Sequence, residues 1–263
     1  MCGIFAILNN DIISDEEINK SFEKIKSRGP EFSNIINFPE NNVKLGFHRL
    51  AINGLDENSH QPIQYGKIHL ICNGEIYNYK SLFKLIDKKP MTNSDCEIII
   101  YLYLQFGIEY TLSLLDGVFA FVLYDEEKNE IFVARDPFGV RPLFYMHDIK
   151  LKLYCFASEL KGLDFRTSIE DHKVGQFIPG SFSNYSIENG NLNCIIKNKN
   201  FYLLSNSLSI DFYPFSYDSL INSIQYSLIQ SVMKRCLNTD RKYACLLSGG
   251  LDSSLITSLV NEN

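Results

Sequence analysis

Short apolar runs separated by polar turns fill the first two hundred residues of the chain. The runs are rich in β-branched and aromatic side chains, which predicts β-strands at 44–52, 67–72, 117–124, 130–135, 143–146 and 154–157. The third and fourth runs flank a polar segment in a hairpin pattern, and both are apolar almost throughout. We therefore predict a sheet that is covered on both faces.

Two stretches of the same region, 15–27 and 94–106, repeat apolar residues at the spacing of an amphipathic helix. The second stretch begins with Ser94-x-x-Glu97, which is the pattern of a capping box. Helices that cover the faces of a strand-rich region predict an α+β fold of sandwiched layers.

The pattern changes after the first two hundred residues. Residues 203–217 are rich in serine and lack periodicity, which predicts a linker. A helical apolar face returns over 218–235, and the apolar run 243–247 is typical of a buried strand. We place a first domain at 2–202 and the start of a second domain at 218–263.

Composition and charge exclude several classes of function. The 31 acidic and 25 basic residues are dispersed along the chain, so we predict no nucleic-acid or membrane partner. No apolar run reaches the roughly 18 residues of a membrane span. The N-terminus lacks a signal-peptide pattern, which favours a cytoplasmic protein. The seven cysteines lack metal-site spacing, so we expect reduced thiols and no zinc site.

The opening Met1-Cys2-Gly3 is the first candidate for chemistry. Removal of Met1 would leave Cys2 with both a thiol and a free α-amine. Their ordinary pKa values of about 8.5 and 7.7–8.0 allow a proton to pass between them near pH 7. Cys2 would then be a self-contained nucleophile. The alternative is that it is a small apolar residue of a first strand.

Three further clusters contain charged or amide side chains that are candidates for binding a substrate. Arg49 lies in a run suited to a buried strand and needs an anion, since its planar fork suits a carboxylate. Asn73-Gly74-Glu75 offers the parts of an oxyanion hole and an amine site, although Asn-Gly is also the commonest hairpin turn. Asp95 begins a helix, where the alternative role is to complement the helix dipole.

A fourth cluster lies in the second region. Ser248-Gly249-Gly250 follows the predicted strand 243–247 and precedes a predicted helix at 255–260. A glycine-rich turn between a strand and a helix presents backbone N–H groups to a phosphate. The alternative is a structural turn with a left-handed glycine.

In chain order these motifs resemble glutamine-dependent asparagine synthetases, first their glutaminase domain and then their ATP loop. The resemblance is carried by MCGIFA at 1–6, RGP at 28–30, HRLAI at 48–52, QPI at 61–63, NGEIYN at 73–78, SDCE at 94–97, DGVFAFVLYD at 116–125, RDPFGVRPLFY at 135–145, ASELKGL at 157–163 and SGGLDSS at 248–254. It implies a four-layer αββα sandwich of the N-terminal-nucleophile hydrolase type. The first elements of an α/β nucleotide-binding domain would follow.

The resemblance implies a glutaminase reaction that needs no cofactor. Cys2 would attack the side-chain amide of glutamine while its α-amine moves the proton, and Asn73 with Gly74 would bind the oxyanion. The glutamine-binding residues would be Arg49, Leu50, Ala51, Ile52, Asn53, Asn73, Gly74, Glu75 and Asp95.

The resemblance also implies which side chains bind the two charged groups of glutamine. Arg49 would bind its α-carboxylate, while Glu75 and Asp95 would bind its α-ammonium group. Asn53 departs from the residues usual in the family, and we expect this position to act through its backbone.

The second region would serve the amidation of aspartate with ATP. The implied ATP-binding residues are Leu247, Ser248, Gly249, Gly250, Asp252 and Ser253, and Asp252 would also help to hold Mg²⁺. Because few residues follow 217, we expect the chain alone not to make asparagine. A glutaminase subunit of another amidotransferase and an inactive remnant are the alternatives, and a homodimer is left open.

Overall fold

The computed structural model describes residues 1–165, 172–188, 190–202 and 216–262. The chain divides into two compact units, Met1–Leu203 and Leu204–Asn263. Most of the predicted linker 203–217 lies outside the described residues.

Among the described residues, the first unit contains two antiparallel sheets of six strands each. The strands are β1 Gly3–Leu8, β2 Phe32–Phe38, β3 Val43–Arg49, β4 Ile63–Tyr65, β5 Ile68–Ile76, β6 Gly117–Asp125, β7 Glu130–Arg135, β8 Phe144–Asp148, β9 Leu153–Ala157, β10 Lys173–Gln176, β11 Ser181–Glu188 and β12 Asn191–Asn200. The first sheet has the order β10-β8-β9-β1-β3-β2, and the second has the order β12-β11-β7-β6-β5-β4. The described helices of this unit are α1 Asp15–Glu23, α2 Tyr79–Leu85, α3 Ile98–Phe106 and α4 Ile108–Leu114.

Alternating side chains build the layers. In β1, Ile4 and Leu8 point between the two sheets, where they pack with residues such as Val122 of β6. Phe5 points to the other face and packs against Phe22 of α1. The outer face of the second sheet packs in the same way on α2 and α3. The order helix, sheet, sheet, helix confirms the α+β sandwich and explains why the predicted hairpin is apolar on both faces.

Several local features differ from the sequence prediction. The strands β2 and β12 were missed because they are half-exposed and mix polar with apolar residues. The predicted capping box is wrong, since the side chain of Ser94 makes no capping bond. The carboxylate of Glu97 instead accepts the backbone N–H groups of Met91 and Thr92, both at 2.7 Å. Glu97 therefore fixes the preceding turn, and a short 3-10 turn leads into α3.

The described part of the second unit contains the helices α5 Tyr217–Leu237 and α6 Leu251–Asn261. Ser216 caps α5 by accepting the N–H of Ser219 at 3.2 Å. Both predicted helices are confirmed. The predicted buried strand 243–247 is wrong: this segment pairs with no strand among the described residues, and Leu246 is 96% exposed. A strand forms only where a neighbouring strand takes up its backbone hydrogen bonds.

Within the described residues, no helix is both long and apolar enough to cross a membrane.

Candidate active site

A cleft opens beside the start of β1, the end of β3 and the outer edge of β5. Nine predicted site residues line it, namely Cys2, Arg49, Leu50, Ala51, Ile52, Asn53, Asn73, Gly74 and Asp95. Its empty volume is about 430 Å³, including the part open to solvent. Residues from distant parts of the chain meet at one site because β1 and β3 of the first sheet pack against β5 of the second.

The thiol of Cys2 is held against the segment that follows β3. Its Sγ donates to the carbonyl oxygen of Leu50 at 3.3 Å, and the N–H of Leu50 lies 3.5 Å from the same sulfur. Burial raises the pKa of the Cys2 thiol, and the contact with Leu50 offsets part of that rise. The thiol is therefore protonated near pH 7, and a nucleophilic role requires a base.

The backbone of Cys2 is anchored by Arg28, which belongs to the RGP motif. The Nε of Arg28 donates to the carbonyl oxygen of Cys2 at 2.8 Å. Its guanidinium also pairs with Glu159 at 3.3 Å. Because Arg28 contacts the backbone and not the thiol, its place in the structure is that of a support for the N-terminus.

Gly74 directs its backbone N–H away from β6. It stands opposite Phe119 in the β5–β6 pair. The N–H of Phe119 donates to Oδ2 of Asp136 at 3.3 Å, and its carbonyl accepts the N–H of Asp136 at 2.7 Å. The polar groups of Phe119 thus face β7, so Gly74 and Phe119 form a pair without mutual hydrogen bonds.

Side chains cap the neighbouring donors along the outer edge of β5. The N–H of Cys72 donates to Oε1 of Gln61 at 2.6 Å. The N–H of Ile76 donates to Oδ2 of Asp95, also at 2.6 Å. Gly74 lies between these two capped positions and faces the cleft, so its N–H is available to a bound molecule.

Asn73 places a second donor at the same point. Its side chain is 1% exposed and lines the cleft. The Nδ2 atom is buried and has no hydrogen-bond partner among the described residues. A buried donor without a partner costs about 1–3 kcal/mol, so it marks a place where a ligand oxygen is expected. The hairpin-turn alternative for Asn73-Gly74 is wrong, because both residues lie inside β5.

Asp95 brings a carboxylate into the same buried wall. Burial raises its pKa to about 6, although the N–H of Ile76 and the side chain of Asn53 both counteract the rise. The side chain of Asn53 thus contacts Asp95, and the expected backbone role of Asn53 in glutamine binding stays a prediction. A carboxylate with a pKa near 6 is mostly ionised at pH 7 and is poised to bind a cation.

Arg49 and Glu75, the other two predicted charged contacts of the substrate, take different places at the cleft. Arg49 is buried and lines the cleft, and its guanidinium donates to the backbone carbonyl oxygens of Gly54 and of Asp56, the latter at 2.9 Å. The two carbonyl oxygens hold the guanidinium at the cleft. Glu75 is absent from the cleft lining and pairs with Arg141. The substrate-binding roles of both residues stay predictions.

Arg141 and Gln61 line the cleft but were not predicted to do so. Asp136 holds the loop before Arg141 by accepting the N–H groups of Val140 and Arg141, both at 2.9 Å. Gln61 pairs with both backbone polar groups of Cys72. The motifs QPI and RDPFGVR contain these residues, but only the folded chain shows that they reach the cleft.

The glycine-rich loop of the second unit is exposed. Gly249 has φ +82°, and Gly250 precedes α6 without a side-chain cap. Backbone N–H groups at a helix start can bind phosphate, and phosphate binding at this loop stays a prediction. Leu247, predicted to lie against adenine, is 61% exposed. Asp252 lies in the first turn of α6, and the described residues contain no group of three or more acidic, histidine or cysteine side chains that could hold a metal.

Two protein-family models match the chain. The model of the glutamine amidotransferase domain matches residues 1–195. The chain belongs to the glutamine amidotransferase domain family. A second model, asparagine synthase, matches residues 224–263.

Curated relatives carry both regions. The chain is 35% identical over 276 residues to a probable asparagine synthetase [glutamine-hydrolyzing] of Acanthamoeba polyphaga mimivirus, covering 100% of this chain and 50% of the relative. It is 37% identical to the asparagine synthetase [glutamine-hydrolyzing] of Mesocricetus auratus, covering 98% of this chain and 48% of the relative. The chain thus spans about half the length of the curated relatives it matches.

Solved structures agree on the fold of the first unit. The glutamine phosphoribosylpyrophosphate amidotransferase of B. subtilis matches 77% of this chain and 50% of its own, with a TM-score of 0.60 and 22% identity. This likeness shows a shared fold and nothing more specific.

Proposed function

We propose that the first unit hydrolyses glutamine to glutamate and ammonia, with Cys2 as the nucleophile. The observation that carries the proposal is the pair of available donors, Nδ2 of Asn73 and the N–H of Gly74, in the cleft that holds the Cys2 thiol. Two fixed donors beside a nucleophile form the arrangement that stabilises the oxyanion of acyl transfer.

The reaction would begin with Met1 removed. The α-amine of Cys2 takes the proton of the thiol, whose raised pKa makes such a base necessary. The sulfur attacks the amide carbon of glutamine, and Asn73 and Gly74 bind the oxygen as it becomes negative. The C–N bond then breaks, and the protonated amine returns its proton to the departing ammonia. Water hydrolyses the resulting γ-glutamyl thioester and restores the thiol.

Recognition of glutamine would depend on Asp95 and Arg49. Asp95 would bind the α-ammonium group, which in turn favours the ionised carboxylate. Arg49 would bind the α-carboxylate while its contacts with Gly54 and Asp56 fix the guanidinium. Glu75 would contribute through its ion pair with Arg141, which lines the cleft.

The ammonia would be used for amidation of aspartate with ATP and Mg²⁺ in a glutamine-hydrolysing asparagine synthetase. The match of residues 224–263 to asparagine synthase supports this use over that of a different amidotransferase. Within the chain, Ser248, Gly249, Gly250 and Ser253 would face phosphate, and Asp252 would help to hold the metal. ATP would supply the activation of the aspartate carboxylate.

The proposal is tested by glutamate release from glutamine. Cys2→Ala should abolish release, and so should a chain that keeps one extra residue before Cys2, because an amide nitrogen is not a base. Cys155→Ala is the matched control, since Cys155 is a fully buried cysteine that does not line the cleft. Intact-mass measurement verifies the N-terminus of each sample. Undiminished release in either Cys2 form would overturn the mechanism.

A further inference from the structure

Gln61 lines the cleft, but its side-chain amide bonds to the backbone of β5. Its Nε2 donates to the carbonyl oxygen of Cys72 at 3.1 Å, and its Oε1 accepts the N–H of the same residue at 2.6 Å. Gln61 is buried, with 6% of its surface exposed. The two bonds fix this side chain to the strand that carries Asn73 and Gly74.

The register of β4 and β5 shows what the side chain of Gln61 replaces. The two strands pair antiparallel, and Ile63 opposite Leu70 is the last pair of β4 toward the cleft. Continued by two residues, this register would place the backbone of Gln61 opposite Cys72. The side-chain amide of Gln61 bonds to Cys72 instead, with one donor and one acceptor, as the backbone of a strand residue would. A side chain thus takes the place of a strand at the end of the ladder.

The next pair of the ladder would close the edge of β5 at Gly74. In the same register Ser59 would stand opposite Gly74, where its carbonyl oxygen would accept the N–H of that glycine. The chain forms a 3-10 turn at Glu57–Ser59 instead, and the N–H of His60 closes this turn on the carbonyl oxygen of Glu57 at 3.0 Å. Because the chain turns here, the outer edge of β5 stays open at Gly74.

We propose that Gln61 is a positioning residue for the oxyanion donors of the first unit. Its side-chain amide ends the ladder between β4 and β5 one hydrogen-bonded pair before Gly74, and it holds the backbone that leads into Asn73. Gln61 acts through the strand and contacts no reacting atom. The inference rests on the proposed function, because it takes Asn73 and Gly74 to bind the oxyanion.

Two side chains hold β5 on either side of the donors. The carbonyl of Cys72 shares a peptide plane with the nitrogen of Asn73, so the bond from Gln61 fixes that plane. Beyond the donors, the N–H of Ile76 donates to Asp95 at 2.6 Å. Without Gln61, the buried N–H and carbonyl of Cys72 would lose their partners, and the strand would have to shift or admit water. A shift of about 1 Å at a catalytic donor costs about 100-fold in rate.

The test compares glutamate release from glutamine by the wild type, Gln61→Ala and Gln61→Met. Methionine fills a similar volume without the hydrogen bonds, so Gln61→Met keeps the packing if the alanine variant does not fold. We expect kcat to fall by about 100-fold in both variants and KM to stay unchanged, because bonds to the oxyanion form only in the transition state.

Gln64→Ala is the matched control and should keep the wild-type kcat and KM. The side-chain amide of Gln64 also donates to a backbone carbonyl, that of Gly66 at 3.0 Å, but Gln64 does not line the cleft. A loss of kcat in Gln64→Ala equal to that in Gln61→Met would contradict a specific role of Gln61.

Amide hydrogen exchange, followed by NMR, reads the edge of β5 without glutamine. In Gln61→Met the N–H of Cys72 should exchange at least about tenfold faster than in the wild type, the equivalent of one lost hydrogen bond. In Gln64→Ala the exchange rate of this N–H should match the wild type.

Two further outcomes would overturn the inference. One is an unchanged kcat in Gln61→Met beside an active wild type, whether or not KM rises. The other is an unchanged exchange rate of the Cys72 N–H in Gln61→Met. A wild type that releases no glutamate would refute the proposed function instead, and the exchange rate of Cys72 would still show whether Gln61 holds the strand.

Discussion

Two glycine motifs of the chain, Asn73-Gly74 and Ser248-Gly249-Gly250, stand in opposite surroundings. Gly74 lies within a strand, and its neighbours on the strand edge are capped by other side chains. Gly249 lies on an exposed turn, where an added Cβ would meet nothing within 4 Å. Both motifs offer backbone N–H groups. Only the first is enclosed by other side chains of a cleft, and this enclosure is why we propose a site there.

The largest effect is expected at Asn73. Asn73→Ala removes one oxyanion donor and should lower kcat for glutamine by about 10²–10³-fold. Stability should change little, since its Nδ2 has no partner among the described residues. The matched control is Asn78→Ala in the same motif, whose Nδ2 donates to Leu114 at 2.8 Å and whose Oδ1 accepts the N–H of Asp116.

Asn78→Ala should lose about 1–3 kcal/mol of stability and keep its kcat. The measurements are steady-state kinetics and urea unfolding of both variants. If kcat falls by the same factor in both, Asn73 acts through the strand and not as a donor.

Gly74→Ala should lower kcat/KM by about 100-fold. The added Cβ would lie 2.7 Å from the carbonyl oxygen of Val118, so the backbone of β5 must move. A displacement of about 1 Å at a catalytic donor costs about that factor in rate. We also expect about 1–3 kcal/mol of lost stability from overpacking. Kinetics and urea unfolding check both values, and unchanged kinetics would contradict the placement of this N–H.

Asp95→Asn should lower kcat/KM by about 10–100-fold, the worth of a charged hydrogen bond. In the wild type kcat/KM should rise with pH through about 6, as Asp95 ionises. A pH profile tests this, and an acid limb at the same pH in Asp95→Asn would assign it to another group.

Stability should respond to the same residue in the opposite direction. The folded pKa of Asp95 is raised from 3.8 to about 6, so the native state binds more protons and loses stability as pH rises through this range. The loss amounts to at most about 3 kcal/mol above pH 6. Asp95→Asn should remove this loss. In urea unfolding, the free energy of unfolding of the variant should therefore rise relative to that of the wild type between pH 4 and 8.

The smallest effect is expected at Gly249. Its φ of +82° is left-handed, so Gly249→Ala should cost about 1–2 kcal/mol locally. Glutamate release and the unfolding of the first unit should match the wild type. A loss of glutaminase activity in this variant would show that the two units are coupled. The two glycine motifs could then not be compared as independent sites.

Sequence patterns predicted the parts of the fold that burial makes apolar. The strands β6 and β7 are apolar almost throughout because both of their faces are covered. The edge strand β12 carries lysines and asparagines on its exposed side, so it gave no such signal. The lining of the cleft was predicted mainly through residues of short motifs. Gln61 and Arg141 were not predicted because they reach the cleft through contacts between distant parts of the chain. Residue spacing does not encode such contacts.

The most direct test of the central claim is a search for the covalent intermediate. The chain is mixed with glutamine, quenched in acid within one turnover, digested and analysed by mass spectrometry. We predict a γ-glutamyl thioester on the N-terminal peptide that begins at Cys2, and its absence in Cys2→Ala. Release of glutamate at the wild-type rate with no adduct on Cys2, or from Cys2→Ala, would contradict the account.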